Sequence, residues 1–190
     1  MTTEERAENL RRIADAAVAV EHSHGIPAEL TVGQCIIESQ WLSHAPGNNA
    51  FGLKAPAGAA VYQTVETDEL LTDTQIEKLR LAGTPIISIS GTYWGGKRTV
   101  RIADRFQVFA DLEDCCEAYA GLLTDGKYFK ARFERFQEHR DLVQLLTDMS
   151  GADGLPPYFT GAGYVDLWQR IIDQANVQAA IAEARARVPM

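Results

Sequence analysis

The distribution of hydrophobic periods constrains this chain most. Apolar residues recur at helical spacing towards both ends, while the middle follows another pattern. Residues 4–22 place Leu10, Ile13, Ala17 and Val20 on one stripe, and residues 111–124 do the same with Leu112, Cys115, Tyr119 and Leu122. Gly25-Ile26-Pro27 breaks the first helix, and Pro27 suits the first turn of a second, running to about residue 42. Shorter helices are predicted over 128–136 and 141–150. After a Gly/Pro loop over 151–163, a last helix from 164 turns Trp168, Ile171, Ile172 and Ala175 inward. Between the helical ends, residues 61–65, 85–90 and 98–102 read as strands, with 105–109 continuing the last of them after a kink. A short helix over 72–81 and a turn-rich link over 91–96 separate these strands. The expected architecture is a mainly α, α+β domain over 1–190, more than half helical, with a small antiparallel β insertion at about 58–109.

At 190 residues the chain is long enough for one domain with its own core, and 46% apolar with 23% charged residues is an ordinary globular balance. A formal net charge of -8 argues against nucleic acid as a partner, because phosphate binding needs clustered Lys and Arg. It also argues against long-range attraction to any anionic polymer, so such a substrate is held by short-range contacts. No apolar stretch approaches the roughly 20 residues that span a bilayer. Residues 1–12 are charged and polar with no apolar signal core, so an exported chain is either already processed or leaves by another route. Cys35, Cys115 and Cys116 read as buried thiols rather than a disulfide framework. Without a C-x-x-C pair, and with His22, His24, His44 and His139 scattered, no metal site is expected.

Glu38 stands out as a candidate for chemistry. It lies in Gln34-Cys35-Ile36-Ile37-Glu38-Ser39-Gln40-Trp41, and in a continuous helix Gln34, Glu38 and Trp41 share a face at i, i+4, i+7. A carboxylate on an apolar helix beside Trp loses solvation, which raises its pKa towards the value that a general acid needs at neutral pH. Spacing alone leaves a plain surface glutamate as the alternative.

The surrounding motifs narrow the choice. Gly25-Ile26-Pro27, then Glu38-Ser39-Gln40-Trp41, then Asn48-Asn49-Ala50-Phe51-Gly52-Leu53-Lys54-Ala55 follow one another in an order that resembles glycoside hydrolase family 73. These are β-N-acetylglucosaminidases of bacterial cell walls, including the hydrolase domain of flagellar rod assembly proteins. Thr67-Asp68-Glu69 looks like the family's T-x-E, expected at the tip of the β region. Phe106-Gln107-Val108-Phe109 stands at its F-R-x-Y, and Tyr158-Phe159-Thr160 with Tyr164 at its Y-A-T-D-P-x-Y. The likeness spans roughly residues 10–175. Leu42 departs from the glycine of E-S-x-W-G, Gln107 from the arginine, and Gly161-Ala162 from Asp-Pro; the stretch over 72–93 is longer than the usual hairpin.

The resemblance implies a lysozyme-like fold in which the β insertion forms one side of the cleft. It also implies hydrolysis of the β-1,4 bond between N-acetylglucosamine and N-acetylmuramic acid in peptidoglycan strands by a monomer, outside the cytoplasm and without a cofactor. Glu38 becomes the general acid. Glu69 fits T-x-E best as general base, with Glu66 as its rival, and a solvated acidic loop is the plain reading of both. Glu69 is expected to stand beyond reach of the sugar until the β element closes. The hydroxyl of Tyr158 or Tyr164 is expected to face the sugar near Glu38. Gln34, Trp41, Asn49, Phe51, Tyr93 and Trp94 are candidate substrate contacts, although Trp41 and Phe51 read equally as core and Asn48 and Asn49 as turn builders. A muramidase or lytic transglycosylase, and a non-catalytic glycan-binding or assembly protein, are the alternatives.

Overall fold

The computed structural model describes residues 1–56, 58–93, 95–159 and 163–188; the side chains of Thr92 and Tyr93 lie outside that description. The chain separates into two compact units, one formed by 1–51 with 109–190 and the other by 52–108.

The first unit is helical. Helix α1 (Thr3–His24) begins in a capping box, in which Thr2 and Glu5 each satisfy the other's backbone N–H, and it ends at Gly25 in the left-handed conformation. Its buried stripe contains Leu10, Ile13, Ala17 and Val20, the residues that its period singles out. Helix α2 (Ala28–Ser39) packs against it, followed by α4 (Leu112–Asp125), α5 (Lys130–His139), α6 (Leu142–Thr147), α7 (Tyr164–Ile172) and α8 (Ala175–Arg187). Gly33 lets α7 approach α2 closely, because a Cβ there would stand 2.2 Å from Nε1 of Trp168. Arg185 binds Glu21 and Glu29 at 2.6 and 2.9 Å and fastens α8 to the first two helices.

Three expectations change in this unit. Helix α2 stops at Ser39, not near residue 42, because Gln40, Trp41 and Leu42 all take left-handed φ values of 50°, 63° and 62°. Oγ of Ser39 secures this turn by donating to the Cys35 carbonyl and accepting from N–H of Leu42 at 2.9 Å. Trp41 therefore leaves the stripe that carries Gln34 and Glu38. The last helix is two helices broken at Asp173 and Gln174, so Ala175 opens α8 and is exposed while Trp168, Ile171 and Ile172 are buried. On α4 Leu112 and Leu123 are the inward leucines, whereas Leu122 is only half-buried.

The second unit is an antiparallel sheet with one helix. Strands β1 (Gln63–Thr72), β2 (Ile86–Tyr93) and β3 (Lys97–Phe106) lie in the order β1-β3-β2. Helix α3 (Asp73–Leu81) packs on it through Ile76, which meets Val100 and Ile102 with Leu71, Leu79, Ile86 and Ile89 around them. Strand β1 runs well past residue 65, because its pairing with β3 continues unbroken to Thr72 opposite Lys97. Thr67-Asp68-Glu69 consequently lies inside a strand, with Glu69 opposite Val100, rather than at a tip or in a loop. Strand β3 is likewise continuous to Phe106 without the expected kink, and β2 takes up residues 91–93 of the supposed turn.

Candidate active site

Helix α2 presents its apolar residues Val32, Cys35 and Ile36 to the core and Glu38 to the surface. Oη of Tyr164, the first residue of α7, donates to Oε1 of Glu38 at 2.8 Å. Glu38 keeps solvent contact, yet enough protein crowds its carboxyl group that desolvation raises its pKa above the ordinary carboxylate value. The Tyr164 hydroxyl acts in the opposite sense, because it stabilises the anion. Burial first, then the neighbouring Glu38 charge, push the Tyr164 phenol far above its usual value, so it remains a neutral donor.

The environment beneath this pair is aromatic. Tyr164 stacks on Phe159 with ring centres 3.7 Å apart, and Phe159 meets Tyr158 edge-on at 6.4 Å. Tyr158 in turn meets Tyr119 edge-on at 6.1 Å. Burial holds the phenols of Tyr158 and Tyr119 neutral as well. Gln34, one turn before Glu38, is wholly buried and accepts the hydroxyl of Tyr119. The Tyr158 hydroxyl is buried without a hydrogen-bond partner.

Of the residues singled out from sequence, Glu38, Gln34, Tyr158 and Tyr164 come together here. Phe51 is 4% exposed and stacks on Tyr119 at 4.2 Å, so it packs in the core. Asn49 is buried, and its neighbour Asn48 donates to the carbonyls of Phe109 and Ala110, which holds the chain turn. Trp41 is half-buried under the guanidinium of Arg6, 3.8 Å above its ring, while Asn9 donates to its carbonyl. Tyr93 ends β2 with its side chain outside the described residues, and Trp94 lies outside them altogether.

Glu69 belongs to the sheet unit. On β1 it shares the less exposed face with Val65, Thr67 and Leu71. Glu66 is on the opposite, exposed face, where Arg101 binds it at 2.9 Å. The two candidates for second acid are thus separated by the strand's period of two.

Tyr119 was legible only as an inward residue of α4; no local pattern ties its hydroxyl to Gln34. The three cysteines are free and buried, and burial raises all three thiols, Cys115 to about 11, which keeps them unreactive. Among the described residues no cluster of His, Cys, Asp and Glu is arranged to hold a metal ion, and no helix is long and apolar enough to cross a membrane.

The glucosaminidase family, described as mannosyl-glycoprotein endo-β-N-acetylglucosaminidase, matches residues 14–177. Curated proteins include no significant match. Among solved structures, the catalytic domain of the autolysin Auto from Listeria monocytogenes aligns with a TM-score of 0.65 at 16% identity, covering 95% of this chain and 89% of that one. A mutant peptidoglycan hydrolase from Sphingomonas sp. A1 aligns at 0.57 and 20% identity, covering 91% and 99%. The truncated glycoside hydrolase domain of FlgJ from Salmonella typhimurium aligns at 0.50 and 17%, covering 96% and 99%. At these identities the structures establish a shared lysozyme-like fold, and the family match carries the assignment: the chain belongs to the glucosaminidase family of glycoside hydrolases.

Proposed function

We propose that the chain hydrolyses peptidoglycan, at the β-1,4 bond between N-acetylglucosamine and N-acetylmuramic acid, with Glu38 as general acid. The contact between Glu38 and Tyr164 is the observation that carries this reading. A glycosidic oxygen leaves only when protonated, and a raised pKa keeps the proton on the Glu38 carboxyl to higher pH than an ordinary carboxyl holds it. Once the proton has gone, the Tyr164 hydroxyl supports the carboxylate left behind. Glu69 is assigned the general base that activates water, on its T-x-E resemblance and its place on the face of β1 opposite the ion-paired Glu66. Neighbours named as an autolysin and a peptidoglycan hydrolase support the substrate, and action at the cell wall outside the cytoplasm follows from it.

Mass spectrometry of muropeptides released from purified peptidoglycan tests the proposal. Products with a reducing N-acetylglucosamine end are expected. Anhydro-muramyl ends would reassign the chain as a lytic transglycosylase, reducing muramic acid ends as a muramidase, and an undigested wall would overturn the substrate. Proton NMR of the first-formed anomer addresses Glu69. An α-anomer from the β-linked substrate fits water activated by a base, whereas a β-anomer rules out that direct displacement.

A further inference from the structure

We propose that Arg132 and Asp153 are positioning residues that hold Tyr164 against Glu38; this rests on the reading of Glu38 as proton donor. Arg132, on α5, has no exposed side-chain surface, and an arginine that deep is stable only when paired. Its Nε and Nη2 donate to the two oxygens of Asp153 at 2.7 and 2.5 Å, a forked pairing that fixes direction as well as distance. Nη1 donates to the carbonyl of Pro156 at 3.1 Å. One guanidinium thus anchors two points of the loop that precedes Tyr158.

Further contacts stiffen that loop. Oδ1 of Asp153 accepts from N–H of Leu155, and the Arg132 pairing, ahead of these other contacts, holds the Asp153 carboxyl well below the ordinary carboxylate range. Arg135 reaches Asp148 at 2.8 Å and Asp153 at 3.3 Å, and Gln144 donates to Asp148. Gly151 turns with φ of 90° and lies so close to Pro157 that a side chain would be crowded. Two residues beyond Pro156, N–H of Tyr158 donates to the Met149 carbonyl at 2.7 Å.

From there a file of rings leads to the carboxylate. Arg132 stands 5.5 Å from the ring of Phe129, and Phe129 meets Tyr158 edge-on at 5.7 Å. Tyr158 abuts Phe159, Phe159 stacks on Tyr164, and Tyr164 donates to Glu38. Close-packed rings transmit displacement rather than absorb it, so the clamp sets the position of the donor.

A purely structural ion pair would alter stability and leave the ionisation of Glu38 alone, so that ionisation is the readout. Within the helical unit, the hydroxyls of Tyr119, Tyr158 and Tyr164 sense the Glu38 charge, and all of them are raised out of its range. The Glu38 carboxyl is titrated by carbon-13 NMR, without substrate, in wild type, Asp153→Asn, Tyr164→Phe and the double variant. Tyr164→Phe is expected to move the Glu38 pKa upward. Asp153→Asn is expected to move it the same way and to add nothing in the Tyr164→Phe background. Turnover of Asp153→Asn should fall roughly 10-fold or more with KM nearly unchanged, as for a misplaced catalytic group. If Asp153→Asn does not fold, the pair Arg132→Met with Asp153→Leu removes both charges without orphaning either, and it replaces Asp153→Asn in the cycle. A Glu38 pKa that stays at the wild-type value, or shifts that add, would overturn the clamp. Absence of activity in wild type would instead overturn the proposed function, and the NMR cycle decides the clamp independently of it.

Discussion

Tyr164 donates its hydroxyl to Oε1 of Glu38 at 2.8 Å across 126 positions of sequence. Burial raises the Glu38 pKa and this bond restrains the rise, so a single contact between two helices tunes the proposed proton donor.

Glu38→Gln keeps the shape of the side chain and removes its proton. Turnover on peptidoglycan is expected to fall by at least ~100-fold, the scale of general acid catalysis. Release of soluble muropeptides by the folded variant at wild-type rate would refute the assignment.

Tyr164→Phe removes the group that favours the Glu38 anion, so the Glu38 pKa should rise further. With Glu38 as the proposed proton donor, the alkaline limb of activity should therefore move to higher pH. Stability has the same sign. A folded pKa above the unfolded one contributes fully below the unfolded value and is lost as pH rises through the folded value. Urea unfolding across that window should show the loss in wild type and not in Glu38→Gln.

Glu66 and Glu69 lie on opposite faces of β1, and Arg101 already binds Glu66. Glu69→Gln is expected to reduce turnover, whereas Glu66→Gln should leave it within about twofold, since an exposed ion pair is worth roughly 0–1 kcal/mol. The reverse outcome in initial rates would exchange their roles.

Leu42 holds a φ of 62°, which costs a residue with a Cβ about 1–2 kcal/mol. Leu42→Gly should raise stability by up to about 1 kcal/mol, because lost burial and added chain freedom offset part of the relief. Leu42→Ala retains the strain and should not gain. Denaturant midpoints of the two variants test this.

Gly33→Ala places a Cβ against the Trp168 indole at 2.2 Å. Overpacking of this kind costs about 1–3 kcal/mol, more than the gain of up to about 1 kcal/mol in helix propensity. A lower midpoint of thermal unfolding is the expected result.

Much of this protein was legible locally. Periods of 3.6 marked the helices at both ends, and Gly25 with Pro27 marked the break between the first two. Glu38 on an apolar helix, and the motifs before and after it, pointed to the chemistry without any tertiary contact. Local patterns failed where distant partners overrule them. The acidic run over 66–73 reads as loop, yet backbone pairing with β3 keeps most of it in a strand. Trp41 falls on the Glu38 stripe by spacing, but Ser39 and Asn9 favour a left-handed turn that removes it. Gln34 shares a helix with Glu38, and only the packing of Tyr119 against it decides that it is buried. Most decisively, the sequence determined that a carboxyl group would sit on α2, whereas the tertiary structure decided its partner. Periodicity reports neighbours within about one helical turn, and a hydroxyl 126 residues away is brought to Glu38 by the burial of rings and the pairing of charges that no local pattern encodes.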